Sequence, residues 1–232
     1  MSYRLIRGAL ATLFAGGITA GFALAQVRQA GATIVYDVKM GGQPGLGKGA
    51  TKLTIKVNSV DADGTAHATI DYAPAGTPQN ALLPFDATIT PAGAIVPKFA
   101  PVTTTPHIGM SKADEVAMAQ SSIGQMIQFT LQPFNAFATS AGTRTGLKIG
   151  DSWNAAAGGP FVPALAFVVT GREQHLGRDT FVITFQSAPG ATLPLSGQGY
   201  YDASGHAVAE VSYKQQSPDG RQTANTDIAL EP

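Results

Sequence analysis

The 232 residues contain no cysteine. Disulfides, thiol nucleophiles, thiolate metal sites and lipidation through an N-terminal cysteine are therefore excluded together, and core packing alone must hold the fold. Charge is the second scarcity. Asp, Glu, Lys and Arg make up 13% of the chain, against about 25% in ordinary soluble domains. The deficit is uneven: no charged residue lies from Val116 to Thr143, from Asn154 to Gly171, or from Ser187 to Tyr201. Such stretches are buried, line a cavity or face a partner, or else belong to a surface built from Ala, Gly, Thr and Gln.

Reaction motifs are missing as well. There is no Gly-x-Ser-x-Gly elbow, no Ser-x-x-Lys opening a helix and no His-Glu-x-x-His, so hydrolase and zincin chemistry have no visible centre. The four histidines, His67, His107, His175 and His206, are not spaced as metal ligands. His67 and His206 fall on polar strand faces, His175 near a turn, and His107 in the loop Pro106-His107-Ile108-Gly109. Asp61-Ala62-Asp63-Gly64 opens like a calcium loop but runs straight into a strand pattern, which makes it a hairpin turn. Gly197-Gln198-Gly199 leads into a strand, not into a helix N-terminus, and is no phosphate loop. No enzyme, no cofactor and no metal is expected.

What is present begins with an export signal. Arg4 and Arg7 precede an acid-free apolar run from Gly8 to Phe22, and Ala23-Leu24-Ala25 is a small-x-small cleavage site before Gln26. The arginines are not adjacent, which favours the general secretory route over the twin-arginine one. An uncleaved anchor is the rival reading, since the run is just long enough to span a bilayer. Gly16, Gly17, Gly21 and the Ala-x-Ala end favour cleavage. The expectation is a periplasmic or secreted domain over residues 26–232, not an integral membrane protein once the signal is removed. It carries 13 basic against 15 acidic residues, a net −2. Nothing in that balance attracts nucleic acid.

Strict alternation then dominates. Ile34, Tyr36, Val38 and Met40 share one face; so do Leu53, Ile55 and Val57, and then Ala66, Ala68, Ile70 and Tyr72. Later runs place Phe167 with Val169, Phe181 with Ile183 and Phe185, Val211 with Tyr213, and Ile228 with Leu230. A period of two with one apolar face predicts half-buried antiparallel strands. Of Tyr200 and Tyr201, one must face inward. The pattern predicts ten or eleven strands in a curved sheet, either a half-barrel or a closed barrel, with one helix near residues 112–131. Ser111 and Asp114 cap that helix. Val116, Ala119, Ile123 and Ile127 form its apolar stripe, which Met126 widens, and Pro133 is expected to end it. Gly64–Gly93 and Gly177–Gly205 repeat a similar order, which suggests duplicated halves at about 33–98 and 150–230.

Gly150-Asp151-Ser152-Trp153, together with Gly199-Tyr200-Tyr201-Asp202 and Gly205, resembles a pattern found in a family of exported bacterial β-rich proteins. The overall plan is also similar to lipoprotein carriers of the LolA and LppX type. The carrier resemblance implies a half-barrel wrapped around a helix, with an apolar cavity for acyl chains. The expected function is accordingly to bind an apolar, lipid-like ligand between sheet and helix. Candidate lining residues are Ile123, Met126, Ile127, Trp153, Phe167, Phe181 and Phe185. The alternative is an envelope scaffold with a protein partner and no small ligand, its interface the Ser121, Gln125, Gln128 and Gln132 face of the helix.

Overall fold

The computed structural model describes residues 29–41, 51–74, 84–98, 109, 111–159, 161–205 and 207–231. The export signal, His107 and His206 lie outside the described residues. Eleven strands and one helix are described. The first five strands are β1 (Thr33–Gly41), β2 (Thr51–Val60), β3 (Ala66–Pro74), β4 (Phe85–Ile89) and β5 (Ile95–Lys98). The helix α1 (Lys112–Gly142) follows. The remaining strands are β6 (Ser152–Ala155), β7 (Leu165–His175), β8 (Arg178–Ser187), β9 (Leu195–Asp202), β10 (Ala207–Gln216) and β11 (Thr223–Leu230).

All eleven strands share one sheet, in the order β5-β4-β3-β2-β1-β11-β10-β9-β8-β7-β6. Two antiparallel meanders thus meet at the β1–β11 pair, where Tyr36 opposes Leu230 and Val38 opposes Ile228. The far strands β5 and β6 do not pair, so the sheet is open, which settles half-barrel against barrel. Register shifts at Val57/Ser59, Val169/Gly171 and Val208/Glu210 supply the local bends that curve such a sheet. The alternation places the core as expected: Leu53, Ile55, Ile70, Phe167 and Ile183 are fully buried. The Asp61–Gly64 segment is a hairpin turn, with Gly64 N–H donating to Asp61 O at 3.0 Å and Gly64 at φ 84°.

The helix lies over the apolar face of the sheet. Its Ser111 cap forms as expected, with the Asp114 N–H donating to Ser111 Oγ at 3.2 Å and the Ser111 hydroxyl donating to Asp114 Oδ2 at 2.7 Å. Its end does not. The helix runs through Pro133 to Gly142, well past the expected stop. A mid-helix proline costs about 3 kcal/mol in a lost hydrogen bond and a steric clash. The extra turns bury Phe134, Phe137, Ala138 and Ala141 completely, and each fully buried phenylalanine contributes about 1.5–3 kcal/mol. Burial outweighs the proline.

Gly199 of β9 lets the helix sit this close, and Gly197 of the same strand leaves room for the Phe185 ring over the sheet. A Cβ on Gly199 would lie 2.4 Å from Phe137 Cζ, and one on Gly197 would lie 2.5 Å from Phe185 Cζ and 2.4 Å from the Ser212 carbonyl. These residues serve packing, which accounts for the Gly197-Gln198-Gly199 segment that phosphate chemistry did not.

The helix also protects one edge of the sheet. Asn135 works as a surrogate strand residue: its Oδ1 accepts from Ile95 N–H at 2.7 Å and its Nδ2 donates to Ile95 O at 2.6 Å. Farther along β5, Pro97 has no N–H to offer.

Replacing Gly199 by Ala is expected to destabilise the fold by about 2–3 kcal/mol through overpacking against Phe137. Combining it with Phe137→Leu should cost less than the sum of the two single changes, because the lost and the created contact are the same one. Urea unfolding of the four proteins checks this, and additive costs would show that the ring and the glycine do not meet. Asn135→Leu should cost about 2 kcal/mol, since it strands both polar groups of Ile95, and should raise concentration-dependent aggregation measured by light scattering.

Candidate functional site

Along its length α1 meets the sheet in two different ways. Its C-terminal half is packed solid. Phe137 sits 5.8 Å from Phe185 and 6.4 Å from Phe167, ring centre to ring centre. Trp153 stacks on Phe167 at 5.4 Å and 5°, and its indole N–H donates to Ser140 Oγ at 2.7 Å. Trp153 therefore ties β6 to the helix, while the Arg144 guanidinium lies 5.3 Å over its ring.

The middle of the helix, from Met126 to Thr130, leaves space. One recess of about 140 Å³ lies beneath Met126 and Phe129, floored by Met40, Tyr213, Ala224 and Thr226. A second of about 180 Å³ adjoins it between Phe129, Phe161, Leu193 and Ala224. The two share Phe129, Gln215 and Ala224, so the Phe129 ring is the partition between them. Phe161 meets that ring edge-on at 5.0 Å and 73°. Buried Gln215 holds the Phe161 segment in place, its Nε2 donating to Phe161 O at 2.7 Å.

The polar groups of this cleft are already engaged. Tyr213 donates to the Thr130 carbonyl at 2.8 Å, and the Thr130 hydroxyl donates to Met126 O at 2.9 Å. Burial pushes the Tyr213 phenol far above its ordinary range, only partly offset by its hydrogen bond with Thr226. It stays a neutral donor at any physiological pH. The cleft presents apolar walls and a few satisfied hydroxyls. That surface suits alkyl or ring moieties and lacks a charged group to activate one.

A third, larger space of about 540 Å³ opens on the other side of α1, between the helix and the two sheet edges. Gln128, Gln132, Asn135, Thr139, Arg144 and Asn154 line it alongside Ala94, Val96, Pro97, Ala136, Ala155 and Ala156, so amide and small apolar groups share its walls. The Gln132 Oε1 is buried there without a hydrogen-bond partner among the described residues.

The structure divides the sequence candidates. Met126 lines the first recess. Ile127 is fully buried, and Ile123 is half-buried against the core. Trp153, Phe167 and Phe185 come together in the solid aromatic stack. Phe181 lies apart from them, half-buried, with Arg172 5.3 Å over its ring. Phe129, Tyr213, Gln215 and Ala224 were not singled out as a site. Phe129 follows Met126 by three residues, so extending the widened stripe by one helical step would have found it. Of the helix face proposed for a scaffold, Gln128 and Gln132 line the polar groove, Gln125 is exposed and Ser121 is buried.

Several polar residues outside these spaces have local partners. His67 Nε2 pairs with Asp61 Oδ2 at 2.8 Å, and His175 Nε2 with Glu210 Oε2 at 2.9 Å. The His175 ring also stacks on Tyr200 at 3.7 Å, while Tyr201 is the inward member of the tyrosine pair. Asp202 accepts from the backbone of Ser204 and Gly205, in the β9–β10 turn. Among the described residues no group of three His, Asp or Glu side chains is placed to hold a metal. No helix among them is long and apolar enough to cross a membrane.

No family model matches the chain, and no curated protein matches it. Among solved structures it is similar to a protein of YmcC-like fold from Bacteroides fragilis, assigned as exported. That pair shares 9% identity over 88% of this chain and 97% of the other, at a TM-score of 0.35. It is similar to MucB at 10% identity and a TM-score of 0.35; 93% of this chain is covered, but the chain spans only 59% of MucB. A domain assigned to outer-membrane lipoprotein sorting, from Vibrio parahaemolyticus, matches at 10% identity and a TM-score of 0.22, over 91% of this chain and 90% of the other. At these TM-scores the likenesses carry no conclusion about ligand or function.

Proposed function

We propose that this chain is an exported, non-enzymatic β-domain that holds the apolar part of a lipid-like ligand in the cleft beneath Phe129. The observation that carries it is the pair of adjoining recesses sharing Phe129, Gln215 and Ala224. An apolar cavity near 150 Å³ takes one benzene-sized group, whereas whole small-molecule ligands occupy about 300 Å³ or more. Either recess alone admits a ring or a short stretch of alkyl chain. Together, with the Phe129 ring turned aside, they admit a longer chain lying along β10 and β11.

The export signal read from Met1 to Ala25 supports an activity outside the cytoplasm, where an apolar chain needs a protein carrier to cross water. Of the sequence candidates, Met126 is retained as a lining residue. Ile127 and the stack of Trp153, Phe167 and Phe185 act as the rigid wall against which the cleft is built, and Ile123 and Phe181 are peripheral to it.

The test uses the mature protein and a fluorescent dodecanoic acid, with native mass spectrometry to read any lipid carried from the cell envelope. Ala224→Phe should fill the shared wall of both recesses and weaken uptake at least about tenfold, about 1.4 kcal/mol. Ala224→Leu should give a smaller loss in the same direction. Both variants should keep the far-UV circular dichroism of the parent. Unchanged uptake in the Phe variant, or no uptake by the parent, would sink the reading.

A further inference from the structure

The two free edges of the sheet are not equivalent. In an antiparallel ladder, opposed residues alternate between exchanging two hydrogen bonds and exchanging none, and on an edge strand the second kind points its backbone groups outward. Thr90 N–H donates to Ala94 O at 2.9 Å, which makes Ile95 and Pro97 the outward residues of β5. Asn135 covers the first and the second has no N–H, so β5 is closed to further pairing.

On the opposite edge Val169 N–H donates to Asp151 O at 2.9 Å, which makes Ser152 and Asn154 the outward residues of β6. Both are exposed, and no described group bonds their outward backbone N–H or C=O. Of the two, Asn154 lines the 540 Å³ groove, and Ser152 continues the same open edge beyond it. One edge is blocked twice and the other not at all, although a long unprotected edge invites aggregation.

The groove is built to complement a peptide. Its floor carries the side-chain amides of Gln128 and Gln132 beside Ala136 and Ala155, its β6 rim carries that of Asn154, and the Gln132 Oε1 lacks a donor among the described residues. Among its described lining residues Arg144 is the only charged one. It stands beside Trp153, at the β6 end of the groove. A lone cation in a neutral amide-lined channel selects an acidic group at that end of the occupant.

We propose that the groove between α1 and β6 docks an extended, acid-bearing segment of a partner polypeptide, which pairs with β6 as a twelfth strand. Its backbone meets the outward groups of Ser152 and Asn154, its amide or hydroxyl side chains meet Gln128 and Gln132, and its carboxylate meets Arg144. Specificity then comes from the side chains and affinity from the backbone ladder. This site is separate from the apolar cleft, which opens on the other side of α1.

The test pans the mature protein against a phage-displayed random heptapeptide library and measures the recovered peptides by fluorescence anisotropy. The expected binders carry Asp or Glu. Asn154→Pro removes one outward N–H at an edge position that tolerates proline, and should weaken binding about tenfold. Ala156→Trp narrows the groove without touching the ladder and should do the same. Arg144→Glu should shift the preference from acidic to basic peptides. Thermal unfolding confirms that the variants fold, and peptides N-methylated at alternate positions test the ladder from the other side. Failure to recover binders, full affinity in the Asn154→Pro protein, or tolerance of N-methylation at every position would overturn the proposal. So would self-association of the parent that Asn154→Pro abolishes, since the occupant would then be a second copy.

Discussion

The contact between the Phe137 ring and the backbone of Gly199 sets the height at which the helix rides on the sheet. Everything else follows from that height. Held so close, Phe137 reaches Phe167 and Phe185, and Trp153 can stack on Phe167 and reach Ser140. The contact lies toward the C-terminal end of α1; midway along the helix, Ile127 is fully buried and the Thr130 carbonyl accepts from Tyr213. The space beneath Met126 and Phe129 opens just before the tight packing around Phe137 begins.

The same helix solves a problem that the open sheet creates. A curved sheet that does not close leaves two edges and an apolar interior exposed. Ile127, Leu131 and Phe134 plug the interior, and Asn135 seals one edge. The other edge is tethered by a side chain, through Trp153, rather than by a ladder. The seal and the tether leave between them a channel lined by uncharged amides, hydroxyls and small apolar side chains, with Arg144 at one end. An uncharged amide surface can be half-buried without large desolvation cost, whereas Lys or Glu there would need paired partners.

Alternation made the strands legible, because a period of two with Ile34, Tyr36 and Val38 on one face allows few other readings. The strand order β1–β11, the open edges and the full length of α1 were not. Pairing of distant strands depends on register energies that no local window contains, and Pro133 carries the same stop signal whether or not two phenylalanines beyond it are worth burying. The aromatic candidates fared according to their surroundings. Phe167, Phe185 and Trp153 were read correctly as inward-facing, yet whether an inward ring lines a space or fills it depends on what stands opposite. Opposite them stands Phe137; opposite Met126 and Phe129 stand the smaller Ala224 and Thr226.

The place of β1 in the sheet bears on how the chain reaches its native state. β1 is made early and β11 last, yet they are neighbours at the middle of the sheet. Until the final strand arrives, one side of β1 has no partner and the two meanders are unconnected except through α1. So large a separation between pairing partners slows folding, since loop closure must precede the contacts that reward it. Until β11 is made the chain lacks the strand that joins its two meanders, and the native sheet assembles only once the last residues are available.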